Sequence, residues 1–280
     1  MDFVGYRPRE NGIRNRTTLR IATLNVGTLR GKEDEMVMVM RERRIDILGV
    51  CETRMSGGGV KVLHDDFQLI YSGGQDNIHG VGVILSPELA QRVNNFEQVN
   101  ERMLTFSLKM NEGNLSFIQV YVPQQGRPTE EREVFYQELQ IVKDRVPHHE
   151  NVILMGDLNG HVGQDRRGIE NVIGAHSIGD RKVAGDSVVD FCVQNNMSIM
   201  NTFYKHRESH KWTWYRWSND RQRYEDRSMI DLMITNNKRL FRDVKSIPSV
   251  SCDSDHRLVI GKLRIDKPKR ISRGAGKDLW

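Results

Sequence analysis

The feature that most constrains this chain is a set of short apolar runs, each adjoining a residue able to do chemistry. Asn151-Val152-Ile153-Leu154-Met155 runs straight into Gly156-Asp157-Leu158-Asn159. Nearly a hundred residues later, Ser254-Asp255-His256 stands just before Leu258-Val259-Ile260. Ile45 to Val50 ends at Glu52 in the same manner. Apolar runs of this length, bounded by turn residues, read as buried strands. Polar groups clustered at strand ends are a common way to build an active site on a rigid scaffold.

The rest of the chain extends the pattern. Arg20 to Val26 reads as a strand, and Lys32 to Arg44 as a helix with Met36, Val39, Met40 and Arg43 at helical spacing. Gly57-Gly58-Gly59 reads as a flexible turn; no Lys-Ser/Thr follows it, so it is not a phosphate loop. Phe67 to Tyr71 and Val81 to Leu85 read as strands. Met103 to Met110 alternates and turns through Asn111-Glu112-Gly113-Asn114 into Leu115 to Val122, a hairpin. Thr129 opens a helix with Glu130 and Glu131 in its first turn, and Pro147 stops it. Residues 160–185 are Gly-rich and irregular, and Ser187 to Asn196 is a short helix. Short strands are expected at Met197–Thr202, Trp212–Tyr215, Met229–Ile234, Val244–Val250 and Leu258–Ile265. Strands outnumber helices and no repeat or internal linker shows. The expected fold class is α/β: a four-layer α/β sandwich, two packed and mostly antiparallel sheets with helices outside. Residues 1–18 read as a disordered basic lead-in, 19–265 as the single domain, and 266–280 as a basic tail.

A length of 280 residues is ample for one such core. The net charge of +5 permits a polyanionic partner, but much of the excess sits at the two ends, where solvated tails explain it equally well. No apolar stretch is long enough to span a bilayer and no signal peptide is recognisable, so a soluble, intracellular protein without a membrane partner is expected. Cys51, Cys192 and Cys252 lack metal-type spacing and are expected as reduced thiols.

The strand ends supply the groups that metal-assisted phosphodiester hydrolysis demands. Hard carboxylate oxygens hold a divalent cation, a base orients or deprotonates water, and fixed donors meet the crowded phosphorane. Glu52, Asp157, Asp231 and Asp255 are the carboxylates, Asn25 and Asn159 the amides, Tyr121 the phenol and His256 the imidazole. Taken singly, each has a plainer reading as a solvated strand end, a turn or a core residue. Asp231, between Ile230 and Leu232, is the hardest to dismiss, because an acid inside an apolar strand needs a partner.

Six pieces in order carry a resemblance: Leu24-Asn25-Val26, Cys51-Glu52-Thr53, Val120-Tyr121-Val122-Pro123, Gly156-Asp157-Leu158-Asn159, Met229-Ile230-Asp231 and Ser254-Asp255-His256. Over about 18–265 the chain resembles the endonuclease/exonuclease/phosphatase superfamily. Within it, the extension Gly160-His161-Val162-Gly163 and the segment Asn201-Thr202-Phe203-Tyr204 are most similar to the apurinic-type endonuclease domains of non-LTR retrotransposons and to the craniofacial development protein 2-like group.

The resemblance implies a Mg²⁺ enzyme, with Mn²⁺ as a substitute, that nicks DNA to leave 3′-hydroxyl and 5′-phosphate ends. It implies Glu52 as the main metal ligand with Asn25 close by and Asp255 near the metal. Asp157 would activate the water and Asn159 would hold a phosphate oxygen. His256, positioned by Asp231, would bind the scissile phosphate, with Tyr121 donating to it and Thr213 near it. Gln124 stands where the repair enzymes carry Asn, and Gly27 where they carry an acid, which favours a less selective nicking enzyme over an efficient abasic-site enzyme. The alternatives are a superfamily phosphoesterase acting on RNA or a small phosphoester, and a domesticated, non-catalytic nucleic-acid-binding domain.

Trp212, Trp214, Tyr215 and Trp217 are followed by Arg216, Arg221, Arg223 and Arg227. Aromatics interleaved with arginines suit nucleic acid, and a strand with a core face followed by a basic loop explains them equally. His206 and His210 lack a helix on which to bind zinc. Without a reverse transcriptase region the chain is expected to be a truncated or domesticated retroelement product, or one domain of it. A monomer is expected, in the nucleus rather than the cytoplasm, the latter from the weak basic pattern Lys267-Pro268-Lys269-Arg270.

Overall fold

The computed structural model describes residues 17–111, 113–218, 220–250 and 252–265. β1 (Thr18–Asn25) and β2 (Ile47–Cys51) run parallel because α1 (Glu33–Arg43) returns the chain between them. α1 has Glu33, Asp34 and Glu35 in its first turn and Arg41 and Arg43 in its last, the arrangement that suits the helix dipole, and Arg44 ends it in the left-handed region. β3 (Gly58–Val62), β4 (Gln68–Ser72) and β5 (Val81–Leu85) then add antiparallel strands, followed by the single turn α2 (Pro87–Ala90). β6 (Val93–Asn100), β7 (Met103–Met110) and β8 (Gly113–Tyr121) form a meander. α3 (Thr129–Asp144) carries the chain from β8 to a parallel partner, β9 (Asn151–Asp157). The irregular stretch leads to α4 (Val183–Gln194), β10 (Ser198–Ile199), β11 (Trp214–Ser218), β12 (Arg223–Ser228), β13 (Asp231–Thr235), β14 (Phe241–Ile247) and β15 (Leu258–Arg264).

One sheet runs β14-β15-β1-β2-β5-β4-β3 and the other β10-β13-β9-β8-β7-β6, with β11 and β12 as a separate hairpin. Leu19, Ile21, Ile47, Phe117, Ile153 and Met233 fill the space between the sheets. α1 covers the outer face of the first sheet through Met36, Val37 and Met40, packed with Leu24, Leu48 and Ile84. α3 and α4 cover the second through Phe135, Leu139, Val188 and Cys192. The expected four layers are present. Each fully buried Leu, Ile or Phe in these layers contributes about 1.5–3 kcal/mol. Among the described residues, no helix is long and apolar enough to cross a membrane.

Each sheet has one parallel pair at its centre, and that is what builds the rim. A parallel pair brings both C-terminal ends to the same edge, so Asn25 lies beside Cys51 and Tyr121 beside Asp157. β13 starts opposite the end of β9, with Asp231 in register with Asp157. Gly156 permits this: its φ is 144°, and a Cβ there would sit 1.9 Å from the Val120 carbonyl oxygen.

Several expectations need correction. Gly57 does turn, with φ of 65°, but Gly58 and Gly59 open the edge strand β3. β6 carries little apolar signal because most of it is exposed. The expected basic loop after Trp217 is largely the strand β12, and β11 runs on to Ser218. α4 starts at Val183 rather than Ser187, and β14 covers Phe241–Ile247 rather than 244–250. Met197–Thr202 holds only a two-residue strand followed by a 3₁₀ turn. The lead-in over residues 1–16, the tail over 266–280 and the basic pattern at Lys267 lie outside the described residues.

Candidate active site

Four strand ends and one loop meet at the rim. Asn25 ends β1, and its side-chain amide donates to Glu52 Oε1 at 2.9 Å and to Asp157 Oδ2 at 3.1 Å. Tyr121 ends β8, and its hydroxyl donates to the same Glu52 Oε1 at 2.6 Å while accepting from Gln124 Nε2 at 3.0 Å. Asp157 ends β9 and is buried, with Oδ1 accepting the Asn159 amide at 3.0 Å. Asp231 opens β13 and accepts from His256 Nδ1 at 2.9 Å. The other ring nitrogen of His256 lies 3.9 Å from Asp157 Oδ2. The loop bearing His256 is tied to β1 by Ser254 Oγ, which donates to the Asn25 carbonyl at 2.6 Å and accepts the His256 amide at 3.1 Å.

Backbone conformations at the rim are unusual. Glu52 and Asn159 have φ of 56° and 46°, in the left-handed region. Non-glycine residues there cost about 1–3 kcal/mol each and persist where surrounding contacts impose them. At Asn159 the side-chain amide donates to the Val122 carbonyl at 2.9 Å, which leaves its second N–H uncommitted by that bond.

The electrostatics follow from burial. The Asp157 carboxyl is pushed above the ordinary range first by burial and then by the neighbouring Asp231 charge. Burial opposes a charged His256, but Asp231 and Asp157 outweigh it and raise the imidazole. Burial and the bond to Glu52 raise the Tyr121 phenol, so it stays a donor. Among the described residues, nothing donates a hydrogen bond to the buried Asp231 Oδ1, an acceptor at the centre of the site.

The rim suits a hard divalent cation. Glu52 and Asp157 are gathered on one Asn25 amide group, and a cation would relieve the repulsion between them. Asp157, Asp231 and His256 also bring one ligand atom each to within 4.8 Å of one another. All three are buried, however, and His256 Nδ1 is already engaged by Asp231.

Three further expected residues have these partners. The Asn25 oxygen accepts the Gly27 amide at 3.0 Å, and its amide nitrogen faces the two carboxylates. Asp255 is exposed and accepts from the Trp214 indole at 2.8 Å, outside the Glu52 hydrogen-bonded group. Thr213 is buried, and its hydroxyl accepts the amides of Ile230 and Asp231 at 2.9 and 3.0 Å, so it acts on the site by seating Asp231.

The aromatic and arginine cluster forms the hairpin β11–β12 beside this rim. Arg216 pairs with Asp226 and Glu225, and Arg221 with Glu225, so both charges are compensated within the hairpin. Arg227 instead lies over the Trp212 ring, 5.0 Å from its centroid. Trp212, Trp214, Arg227, His161 and Lys182 line an open cleft of about 360 Å³. Arg223 opens β12, and its side chain is not described. His206 and His210 face Asp243 and the Ser246 carbonyl, not each other. Sequence reasoning gave no role to Ser254, Arg102 or His79; a lone polar residue in a turn carries no periodic signal.

A sandwich of two packed sheets carrying this ordered set of rim residues defines a class of protein. The model of the Endonuclease/Exonuclease/phosphatase family matches residues 22–256, and the chain belongs to that family. It is 30% identical over 250 residues to craniofacial development protein 2 of Bos taurus, across 88% of this chain and 41% of that protein. The chain thus spans about two-fifths of the length of that relative. In fold it is similar to the AP endonuclease LMAP of Leishmania major, with a TM-score of 0.64 and 12% identity over 89% of each chain. It is similar also to the endonuclease domain of TRAS1, a telomere-specific non-LTR retrotransposon, with a TM-score of 0.63 and 13% identity over 89% of this chain and 100% of that one.

Proposed function

We propose that this chain is a Mg²⁺-dependent DNA endonuclease that hydrolyses phosphodiester bonds and leaves nicks. The observation that carries this reading is the cluster drawn from both sheets in which Asn25 donates to Glu52 and Asp157, His256 is hydrogen-bonded to Asp231, and the second His256 ring nitrogen lies 3.9 Å from Asp157. A divalent cation held by Glu52 would offset the negative charge that develops on the phosphate. Asp157 takes a proton from water as the water oxygen bonds to phosphorus. The P–O3′ bond breaks as that bond forms, the departing oxygen takes a proton from solvent water and ends as a 3′-hydroxyl opposite a 5′-phosphate, and Asp157 returns its proton to solvent. His256, held charged by its two carboxylate neighbours, binds the non-bridging phosphate oxygens, and Asp231 keeps its ring in place. The spare N–H of Asn159 donates to the same phosphate. Tyr121 fixes Glu52 by donating to it.

DNA is the favoured substrate because Arg227 and the indoles of Trp212 and Trp214 flank the rim, a pairing suited to phosphate and base. The test is supercoiled plasmid in Mg²⁺, in EDTA, and with Asp157→Ala. Open circles from the wild type in Mg²⁺ alone are expected. RNA or a small phosphoester cut under conditions that spare plasmid would move the reading to another substrate of the same site. EDTA-resistant binding with no turnover on any of the three would make the chain a binding domain.

A further inference from the structure

Glu52 and Tyr121 come from different sheets, and their 2.6 Å hydrogen bond must be held from outside. Both arms lead to Arg102, half-buried in the turn between β6 and β7. On one side, the Arg102 carbonyl accepts the Tyr121 amide at 2.9 Å, and its guanidinium donates to the Tyr121 carbonyl at 3.2 Å. The same guanidinium lies 5.1 Å from the centroid of the Tyr121 ring. On the other side, it lies 2.9 Å from His79 Nε2. The His79 carbonyl accepts the Arg54 amide at 2.8 Å, and the Gly80 carbonyl accepts the Thr53 amide at 3.1 Å. Thr53 and Arg54 directly follow Glu52. The contacts therefore close a circuit from Glu52 through its own loop to His79, Arg102, Tyr121 and back.

We propose that Arg102 is a positioning residue that acts through Tyr121 and His79 to hold Glu52 in its cation-binding pose. The proposal rests on the reading of Glu52 as a metal ligand. A guanidinium only donates, so His79 must accept at Nε2 and carry its proton at Nδ1. Burial and the adjacent Arg102 charge both keep that imidazole neutral. Arginine suits the position because its planar fork serves a carbonyl and a ring nitrogen at once while its face covers an aromatic ring; lysine offers one point charge. The strained φ of 56° at Glu52 and 51° at Arg54 is what such a clamp has to maintain.

The test is a double-mutant cycle on the full chain with Arg102→Met, Tyr121→Phe and both together. Mn²⁺ affinity is measured by calorimetry and plasmid nicking is measured in parallel. Arg102→Met is expected to weaken Mn²⁺ binding by about tenfold, the usual order for outer contacts to a metal site. In the Tyr121→Phe background the loss should shrink to about twofold, because much of the arm is already gone. A loss of equal size in both backgrounds, or none in either, would overturn the proposal. Should Arg102→Met not fold, Arg102→Lys keeps the stem and charge, and wild-type Mn²⁺ affinity in that variant would also overturn it. A wild type that binds Mn²⁺ without cutting DNA would defeat the nuclease reading, while the affinities still judge Arg102. A wild type that binds no Mn²⁺ would defeat both.

Discussion

Asp231 and His256, 25 residues apart in the chain, share a 2.9 Å hydrogen bond that fixes which way the imidazole faces. An ionised carboxylate only accepts, so Nδ1 carries the proton and Nε2 is turned toward Asp157, 3.9 Å away. Replacing Asp231 by Asn keeps the size but removes the charge that raises His256. By analogy with other carboxylate–imidazole pairs, Asp231→Asn should lower the nicking rate by about 10²–10⁴. Single-turnover cleavage checks this, with circular dichroism to confirm the fold. A rate within threefold of wild type would remove His256 from the mechanism as described.

The raised Asp157 carboxyl sets the sign of the pH dependence. As a base it must be ionised, and burial and Asp231 hold its titration above the ordinary carboxylate range. Activity should therefore fall on acidification well before an ordinary carboxyl would protonate. Metal binding competes with that proton, so more Mg²⁺ should move the acidic limb to lower pH. Profiles of kcat/KM against pH at two Mg²⁺ concentrations would show it; a limb unmoved by metal would argue that another group titrates.

Two glycines should respond differently to alanine. At Gly156 a Cβ would meet the Val120 backbone oxygen at 1.9 Å, at a φ of 144°. Gly156→Ala should cost about 2–4 kcal/mol from strain and overpacking together. At Gly49 the obstacle is Gln119 Oε1, also at 1.9 Å, the end of a side chain that can move. Urea unfolding of both variants should rank Gly156→Ala as clearly the worse, and the reverse order would contradict the strand contact.

Alkali should unfold the protein through its buried thiols. Burial raises Cys192 and Cys51, and it raises the Tyr136 phenol as well. The folded state disfavours their ionised forms. Their contribution is therefore fully present below the ordinary thiol value of 9.0 and is lost as pH climbs from there toward the raised folded values. Unfolding free energy should begin to drop as pH rises through about 9 and go on falling with further alkali. Cys192→Ala, although less stable overall, should show a shallower drop over that range.

The hairpin arginines should not be equivalent. Arg216 is compensated by Asp226 and Glu225, whereas Arg227 stacks on Trp212 beside the cleft. Arg227→Ala should reduce the salt dependence of DNA binding by about one unit of slope, and Arg216→Ala should leave it nearly unchanged. Fluorescence anisotropy over a salt series distinguishes the two, and equal effects would count against the internal pairing.

Legibility followed how local the signal was. β9 and β15 were readable because an apolar run next to Asp157 or His256 announces itself within a few residues. β3 and β6 were not: Val60 and Val62 are half or more exposed on an edge, and most of β6 faces solvent, so neither shows a buried face. β12 read as a basic loop because its pairing energy lies across the hairpin, in Tyr215 and Trp217 packed against Tyr224. Arg102 was invisible for the same reason, since its partners are 19 and 23 residues away.

From the sequence alone came the layered sandwich, the family and the residues able to do the chemistry. Periodicity and strand-end motifs are set by neighbours along the chain, so those survive without coordinates. The tertiary structure decided which of these residues touch. It turned the Asn25 amide toward Glu52 and Asp157, gave Asp255 to Trp214, and set Thr213 to seating Asp231. Asn25 and Asp157 are 132 residues apart and belong to different sheets. Only the packing of one sheet on the other brings them within hydrogen-bonding distance, and no local pattern encodes that packing.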